Sequence, residues 1–210
     1  MDSNLYIKVV DCQQLVVIVY VDDIIFDGHK EELCQEFADR MKNEFEMSML
    51  GEMTYFLGLQ INQNKDGIFI SQVKYVKEIL KKFMMEDCKP VGTPMIVGCK
   101  LNKEDESGDV DQKLYRSMIS SLLYLAATRS DILHSVCMVA RFQSSPKENH
   151  MIAVKRILRY LKETMELGLN YSRSKRAELI AFSDADWVRD IDERNSTSGG
   201  AFFLGENLVA

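Results

Sequence analysis

The sequence predicts an α+β protein. Three observations carry the prediction: β-branched runs with turn signals open the chain, apolar residues recur at helical spacing through its middle, and strand patterns return from position 167. With 210 residues, 46% hydrophobic and 28% charged, the composition excludes a disordered or collagenous chain. A single unit of this size buries roughly 70% of the surface its unfolded chain exposes.

Leu5–Val10 and Leu15–Val21 read as a hairpin across the polar stretch Asp11 to Gln14. The second run is apolar on both faces, which predicts a central strand buried on both sides. It halts at Asp22-Asp23 and resumes as Ile24-Ile25-Phe26, so two acids occupy a strand-to-strand turn. Leu33, Phe37, Met41 and Phe45 predict an amphipathic helix over 29–46 with one face on the sheet. Met53 to Gln63 reads as a strand, Asn64-Lys65-Asp66-Gly67 as a turn, and Ile68–Ile70 as the returning strand. Ser71 is expected to cap the next helix, whose buried stripe is Val73, Val76, Leu80 and Phe83. Residues 89–110, with two prolines, three glycines and the acids Glu104, Asp105 and Glu106, read as a linker. Helical patterns follow over 111–127, 131–143 and 147–165, and strands over 167–171, 178–183 and 201–204.

The longest apolar run, Leu15 to Val21, is far short of the roughly 20 residues a membrane-spanning helix needs. No leader is readable either, so neither membrane insertion nor secretion is indicated. Five scattered cysteines without a Cys-x-x-Cys pair read as reduced thiols of an intracellular protein, cytoplasmic or nuclear, with no zinc site. His29, His134 and His150 stand apart from one another and from any nucleophile motif, which gives a hydrolytic triad no support. Net charge is −6, yet Lys155 to Arg176 holds seven Lys/Arg against two Glu. On that helix Val154, Ile157, Leu158, Leu161 and Met165 form the apolar stripe, while Lys155, Arg156, Arg159 and Lys162 take the other side. A solvated charged face is the default reading; contact with phosphates is the second.

Adjacent acids at a turn are usually polar turn residues. Here the strand leading into them is so apolar that carboxylates at its tip suggest coordination, and two close carboxylates repel unless cations neutralise them. Two Mg²⁺ ions about 4 Å apart would do so and would activate a 3′-hydroxyl.

Tyr20-Val21-Asp22-Asp23 resembles the catalytic hairpin of reverse transcriptases. Phe56-Leu57-Gly58-Leu59-Gln60 is similar to the primer-grip hairpin of copia-type retrotransposon Pol proteins. Ser71-Gln72-Val73-Lys74-Tyr75, Cys88-Lys89-Pro90, Thr93-Pro94-Met95, Tyr115-Arg116-Ser117, Leu122-Leu123-Tyr124-Leu125, Thr128-Arg129, Leu158–Lys162 and Ser183-Asp184-Ala185-Asp186-Trp187 match that family's later segments in order. The resemblance implies that Asp22 and Asp23 are polymerase metal ligands for Mg²⁺, that Tyr20 and Val21 floor the primer terminus, and that Phe56, Leu57 and Gly58 hold the primer backbone. It implies that Asp184 is the first metal-binding carboxylate of a ribonuclease H domain; its bland alternative is a solvated strand-end acid. Asp186 and Asp190 read as surface-loop residues.

The implied architecture is a truncated palm over 1–88, a linker over 89–110, a helical thumb or connection over 111–166, and the opening strands of a ribonuclease H-like fold over 167–210. Implied partners are an RNA/DNA template-primer, a deoxynucleoside triphosphate and the rest of a Pol polyprotein, with no membrane. The family takes a third polymerase carboxylate from an upstream strand and further ribonuclease H ligands from downstream. Both sites are therefore expected to be incomplete in this chain.

Overall fold

The computed structural model describes residues 4–173, 178–185 and 198–210. The chain is α+β and forms two compact units, 1–52 and 53–210.

In the first unit β1 (Leu5–Val10), β2 (Gln13–Tyr20) and β3 (Asp23–Gly28) form an antiparallel meander with β2 central, followed by α1 (Glu31–Glu44). Asp11 and Cys12, the loop between Val10 and Gln13, both have positive φ, the geometry that matches a two-residue hairpin to the twist of its strands. Directly opposed residues share a face, so Tyr6, Val17 and Phe26 lie together, and Leu5, Ile18 and Ile25 lie on the other side. Helix α1 covers the first face: Phe37 meets Phe26 edge-on at 5.0 Å, and Leu15, Val17 and Ala38 are buried. The second face is open, with Ile7, Val9, Ile18 and Tyr20 exposed. This corrects the expectation that β2 is buried on both sides. Apolar character on both faces fixed its central place in the sheet, but one helix can cover only one face.

The second unit begins with β4 (Tyr55–Phe56), β5 (Leu59–Asn64) and β6 (Gly67–Ser71), then α2 (Val73–Lys82). The stretch expected as one strand from Met53 to Gln63 is thus a tight hairpin, because Leu57 (φ 47°) and Gly58 (φ 79°) are left-handed and reverse the chain between Phe56 and Leu59. Ser71 does not cap α2. It pairs with Gln60 and Gly168 as the last residue of β6; Gln72 occupies the cap position, and the Gln60 side chain accepts from the Lys74 N–H at 2.8 Å.

Helices α3 (Gln112–Leu125), α4 (Ser130–Ala140) and α5 (Glu148–Glu163) pack with α2 around one core. Asp111 caps α3 through bonds from the Lys113 and Leu114 amides. Ile119, Leu122, Leu125, Ile132, Val136, Val154, Ile157, Leu158 and Leu161 are fully buried. Strand β7 (Gly168–Ser172) returns to pair with β6, giving the sheet order β4-β5-β6-β7. It therefore joins the β4–β6 hairpins rather than opening a separate sheet. The separate sheet comprises β8 (Leu179–Ala185), β9 (Ser198–Leu204) and β10 (Asn207–Leu208), with β9 central. Asn207 ties it to β7: its Oδ1 accepts from the Ser172 N–H at 2.7 Å and its Nδ2 donates to the Ser172 carbonyl at 3.0 Å.

Residues 89–110 contain no helix or strand, as expected, but they form a strap against α5 rather than a free linker. Leu101 is buried in the helical core, and Met95, Cys99 and Val110 pack against it. The Lys147 N–H donates to His150 Nδ1, which leaves His150 Nε2 to carry the proton and donate to the Asn102 carbonyl at 2.9 Å. Asn149 reaches Asp105 at 2.9 Å, and Lys147 Nζ reaches Asp109 at 2.8 Å.

Candidate functional site

The Tyr-Val-Asp-Asp run forms the β2–β3 reversal. Tyr20 pairs with Asp23, so Val21 and Asp22 are the two loop residues and Asp23 is the first residue of β3. Tyr20 and Asp23 consequently share a sheet face, the open one that also carries Ile18 and Ile25. Asp22 and Asp23 are both exposed. Val21 is 85% exposed with φ 56°, a conformation in which a β-branched side chain crowds its own backbone. Such strain, of order 1–3 kcal/mol, gathers where a loop's shape serves something other than stability.

These two carboxylates offer two hard oxygen donors. Among the described residues no group of three or more His, Cys, Asp or Glu side chains is placed to hold a metal ion. Two acids on one exposed turn do not by themselves fit a Mg²⁺ pair, which needs more oxygen ligands than they supply. The chain's own described residues therefore do not complete a site for the ion.

In the second unit Phe56, Leu57 and Gly58 build the β4–β5 turn. Leu57 is 43% exposed and its carbonyl accepts from the Tyr124 hydroxyl. Lys74 Nζ lies 5.4 Å from the centre of the exposed Tyr55 ring. Asp184 is near the end of β8, opposite Gly199, and every residue of that strand is exposed. Its sheet keeps an edge-on contact between Phe182 and Phe203 at 6.0 Å. Asp186, Trp187, Asp190, Lys175 and Arg176 lie outside the described residues.

The basic face of α5 is occupied from within. Lys162 Nζ donates to the Glu86 and Cys88 carbonyls at 2.5 and 2.9 Å, Arg159 Nε to the Lys89 carbonyl at 2.6 Å, and Arg156 to Thr93 Oγ1 at 2.8 Å. Lys155 is exposed. Three of the four bases thus hold residues 86–93, which lead into the strap, a destination 63 to 76 residues away that no local spacing announces.

Sequence reasoning also passed over Arg129. Its side chain is buried and forms a two-pronged pair with Asp131 at 2.7 and 2.9 Å, while donating to the carbonyl and hydroxyl of Thr164 just past the end of α5. Tyr160 adds a bond to Asp131 at 2.7 Å. Burial pushes the Asp131 carboxyl up, but the bonds from Arg129 and Tyr160 and the guanidinium charge outweigh it and hold that carboxyl below its ordinary range. The Thr-Arg motif at 128–129 was the available signal; what it bonds was not.

A Tyr-Val-Asp-Asp hairpin on an α+β chain marks the reverse transcriptase class, and the profile described as "Reverse transcriptase (RNA-dependent DNA polymerase)" matches residues 1–97. Over its whole length the chain is 34% identical to the retrovirus-related Pol polyprotein from transposon RE1 of Arabidopsis thaliana, of which it spans 14%. Over 93% of its length it is 36% identical to the uncharacterized mitochondrial protein AtMg00810 of the same plant, covering 81% of that protein. A Pol polyprotein from the tobacco transposon TNT 1-94 is 34% identical over 93% of the chain, which spans 15% of it. The chain belongs to the reverse transcriptase family of retrotransposon Pol polyproteins. No solved structure matches it.

Proposed function

We propose that this chain supplies the catalytic hairpin and primer-contacting turn of a copia-type RNA-directed DNA polymerase, and works only with the rest of a Pol polyprotein. The observation that carries this reading is the β2–β3 reversal, where a strained, solvent-facing Val21 sets two carboxylates at a strand tip. In this reading Asp22 and Asp23 present negative charge to the reacting phosphates' counter-ions, Tyr20 and Val21 floor the primer end, and Phe56 to Gly58 touch the primer backbone. Because the described residues leave the donor set incomplete, completion by a carboxylate from elsewhere in the polyprotein is part of the proposal. Asp184 stands in the same relation to a ribonuclease H site. Partners are then an RNA/DNA template-primer and a deoxynucleoside triphosphate, met inside the cell.

The test replaces the matching segment of the RE1 polyprotein with this chain and follows extension of an oligo(dT) primer on poly(rA). Synthesis that Asp22→Asn abolishes supports the reading; synthesis that survives Asp22→Asn and Asp23→Asn together would sink it. A non-catalytic, duplex-binding role through α5 is the weaker reading, because Arg156, Arg159 and Lys162 already bond to residues 86–93.

A further inference from the structure

The Leu122-Leu123-Tyr124-Leu125 motif forms the last turn of α3. Leu122 and Leu125 are fully buried, whereas Leu123 and Tyr124 face outward at 44% and 42% exposure. Tyr124 is nevertheless held. Its ring meets Tyr75 edge-on, centroids 4.8 Å apart and planes at 77°, and the Tyr75 hydroxyl donates to the Ser121 carbonyl at 3.4 Å. From there the Tyr124 hydroxyl donates to the Leu57 carbonyl, across 67 residues of sequence.

The turn it reaches is fitted to it. Gly58 has φ 79°, and a Cβ built there would collide with the Tyr124 hydroxyl. Glycine suits the left-handed backbone, and any side chain there would push the Tyr124 hydroxyl away from the turn. The strands behind the turn are tied to α2 through Gln60 and through Lys74 over Tyr55, while Tyr124 bonds the tip itself. A bond to the carbonyl of a loop residue fixes a peptide plane that would otherwise rock. The ordering cost is then met on folding instead of on binding, which strengthens whatever the turn binds.

We propose that Tyr124 is a positioning residue that fixes the Leu57–Gly58 turn in the attitude in which it meets a nucleic-acid strand. The proposal rests on reading that turn as the primer contact. It adds a residue to that site from an element on which no nucleic-acid role had been placed.

The test compares the 210-residue chain with Tyr124→Phe, which keeps the edge-on contact with Tyr75 and removes only the hydroxyl, and with Leu123→Ala as a control on the same helix face. Hydrogen–deuterium exchange over 55–60 reads the turn, fluorescence anisotropy of a short labelled RNA/DNA hybrid at fixed low salt reads binding, and circular dichroism reads global unfolding. The expected result is faster exchange at 55–60 and roughly three- to tenfold weaker hybrid binding for Tyr124→Phe, the worth of one hydrogen bond, with a single cooperative unfolding transition retained and Leu123→Ala like the parent. Unchanged exchange at 55–60 overturns the proposal. Faster exchange with unaltered affinity overturns the positioning role. A parent chain that does not bind the hybrid overturns the reading of the turn beneath it, and the exchange comparison then decides whether Tyr124 holds the turn at all.

Discussion

The helices α2 to α5 and the sheet β8–β10 contain similar apolar residues and treat them in opposite ways. In the helical layer Ile119, Leu122, Ile132, Val136 and Ile157 lose all contact with solvent; in β8 the side chains of Leu179, Ile180 and Phe182 stay exposed at 68%, 39% and 61%. The sheet β1–β3 is intermediate, with one face under α1 and the other open. What separates these regions is the number of layers packed on them, since an apolar side chain is buried only if a second surface arrives. All three candidate carboxylates, Asp22, Asp23 and Asp184, sit on the thinly covered sheets, and the four helices hold the well-packed core. Stability is concentrated in one part of the chain and candidate chemistry in another.

The sharpest way to break that contrast is a pair of truncations. Leu122→Ala is expected to lower unfolding free energy by about 3–5 kcal/mol through a cavity in the core, and Phe182→Ala in β8 by less than about 1 kcal/mol. Urea titrations that gave equal losses would show that the two regions are not distinct. Next in size is Arg129→Met, which leaves the Asp131 carboxylate without its main partner. Because the Asp131 side chain remains 33% exposed, the expected cost is about 2–3 kcal/mol, below that of a fully buried pair. Gly58→Ala should follow at about 1–3 kcal/mol, from a left-handed backbone and the clash with Tyr124, read as a lower urea midpoint.

Acid titration probes the strap. Bonds from the Ser107 side chain, the Asn149 amide and the Ser107 backbone hold the Asp105 carboxyl down at about 2, against 3.8 ordinarily. A carboxyl lowered by folding contributes stability that is present above its unfolded value and lost as pH falls through the folded one. Unfolding midpoints should therefore decline between about pH 4 and pH 2, with Asp131 adding to the loss in the same direction. Asp105→Asn should flatten part of that slope; an unchanged slope would show that Asp105 is not tied to Ser107 and Asn149. The smallest effect is reserved for the candidate site: Asp22→Asn should alter stability by no more than about 0.5 kcal/mol, being an exposed loop substitution, while removing polymerase activity in the chimeric polyprotein.

Most of the local structure was legible. Amphipathic spacing located α1, α3, α4 and α5 to within a few residues, and the polar breaks at 11–14, 22–23 and 64–67 each became a reversal between strands. The hairpin inside 53–63 was implied by the primer-grip resemblance of Phe56 to Gln60 but not by the strand pattern, because Leu57, a residue that resists positive φ, takes part in the turn, and the glycine beside it reads equally well as a strand glycine. For the candidate site, the carboxylate turn was evident from Tyr20 to Asp23, but its supports were not.

By itself the sequence determined which segments are helix and which are strand, where two acids meet at a reversal, and to which family the chain belongs, because those properties are written in spacings of a few residues. Tertiary structure alone decided that β7 pairs with β6, that Arg156, Arg159 and Lys162 of α5 bond Thr93 and the carbonyls of Glu86, Cys88 and Lys89, and that Tyr124 reaches the Leu57 carbonyl. A backbone carbonyl is the same acceptor at every position, so no residue pattern records which distant donor will find it; only the packing of the chain around its core brings the two together.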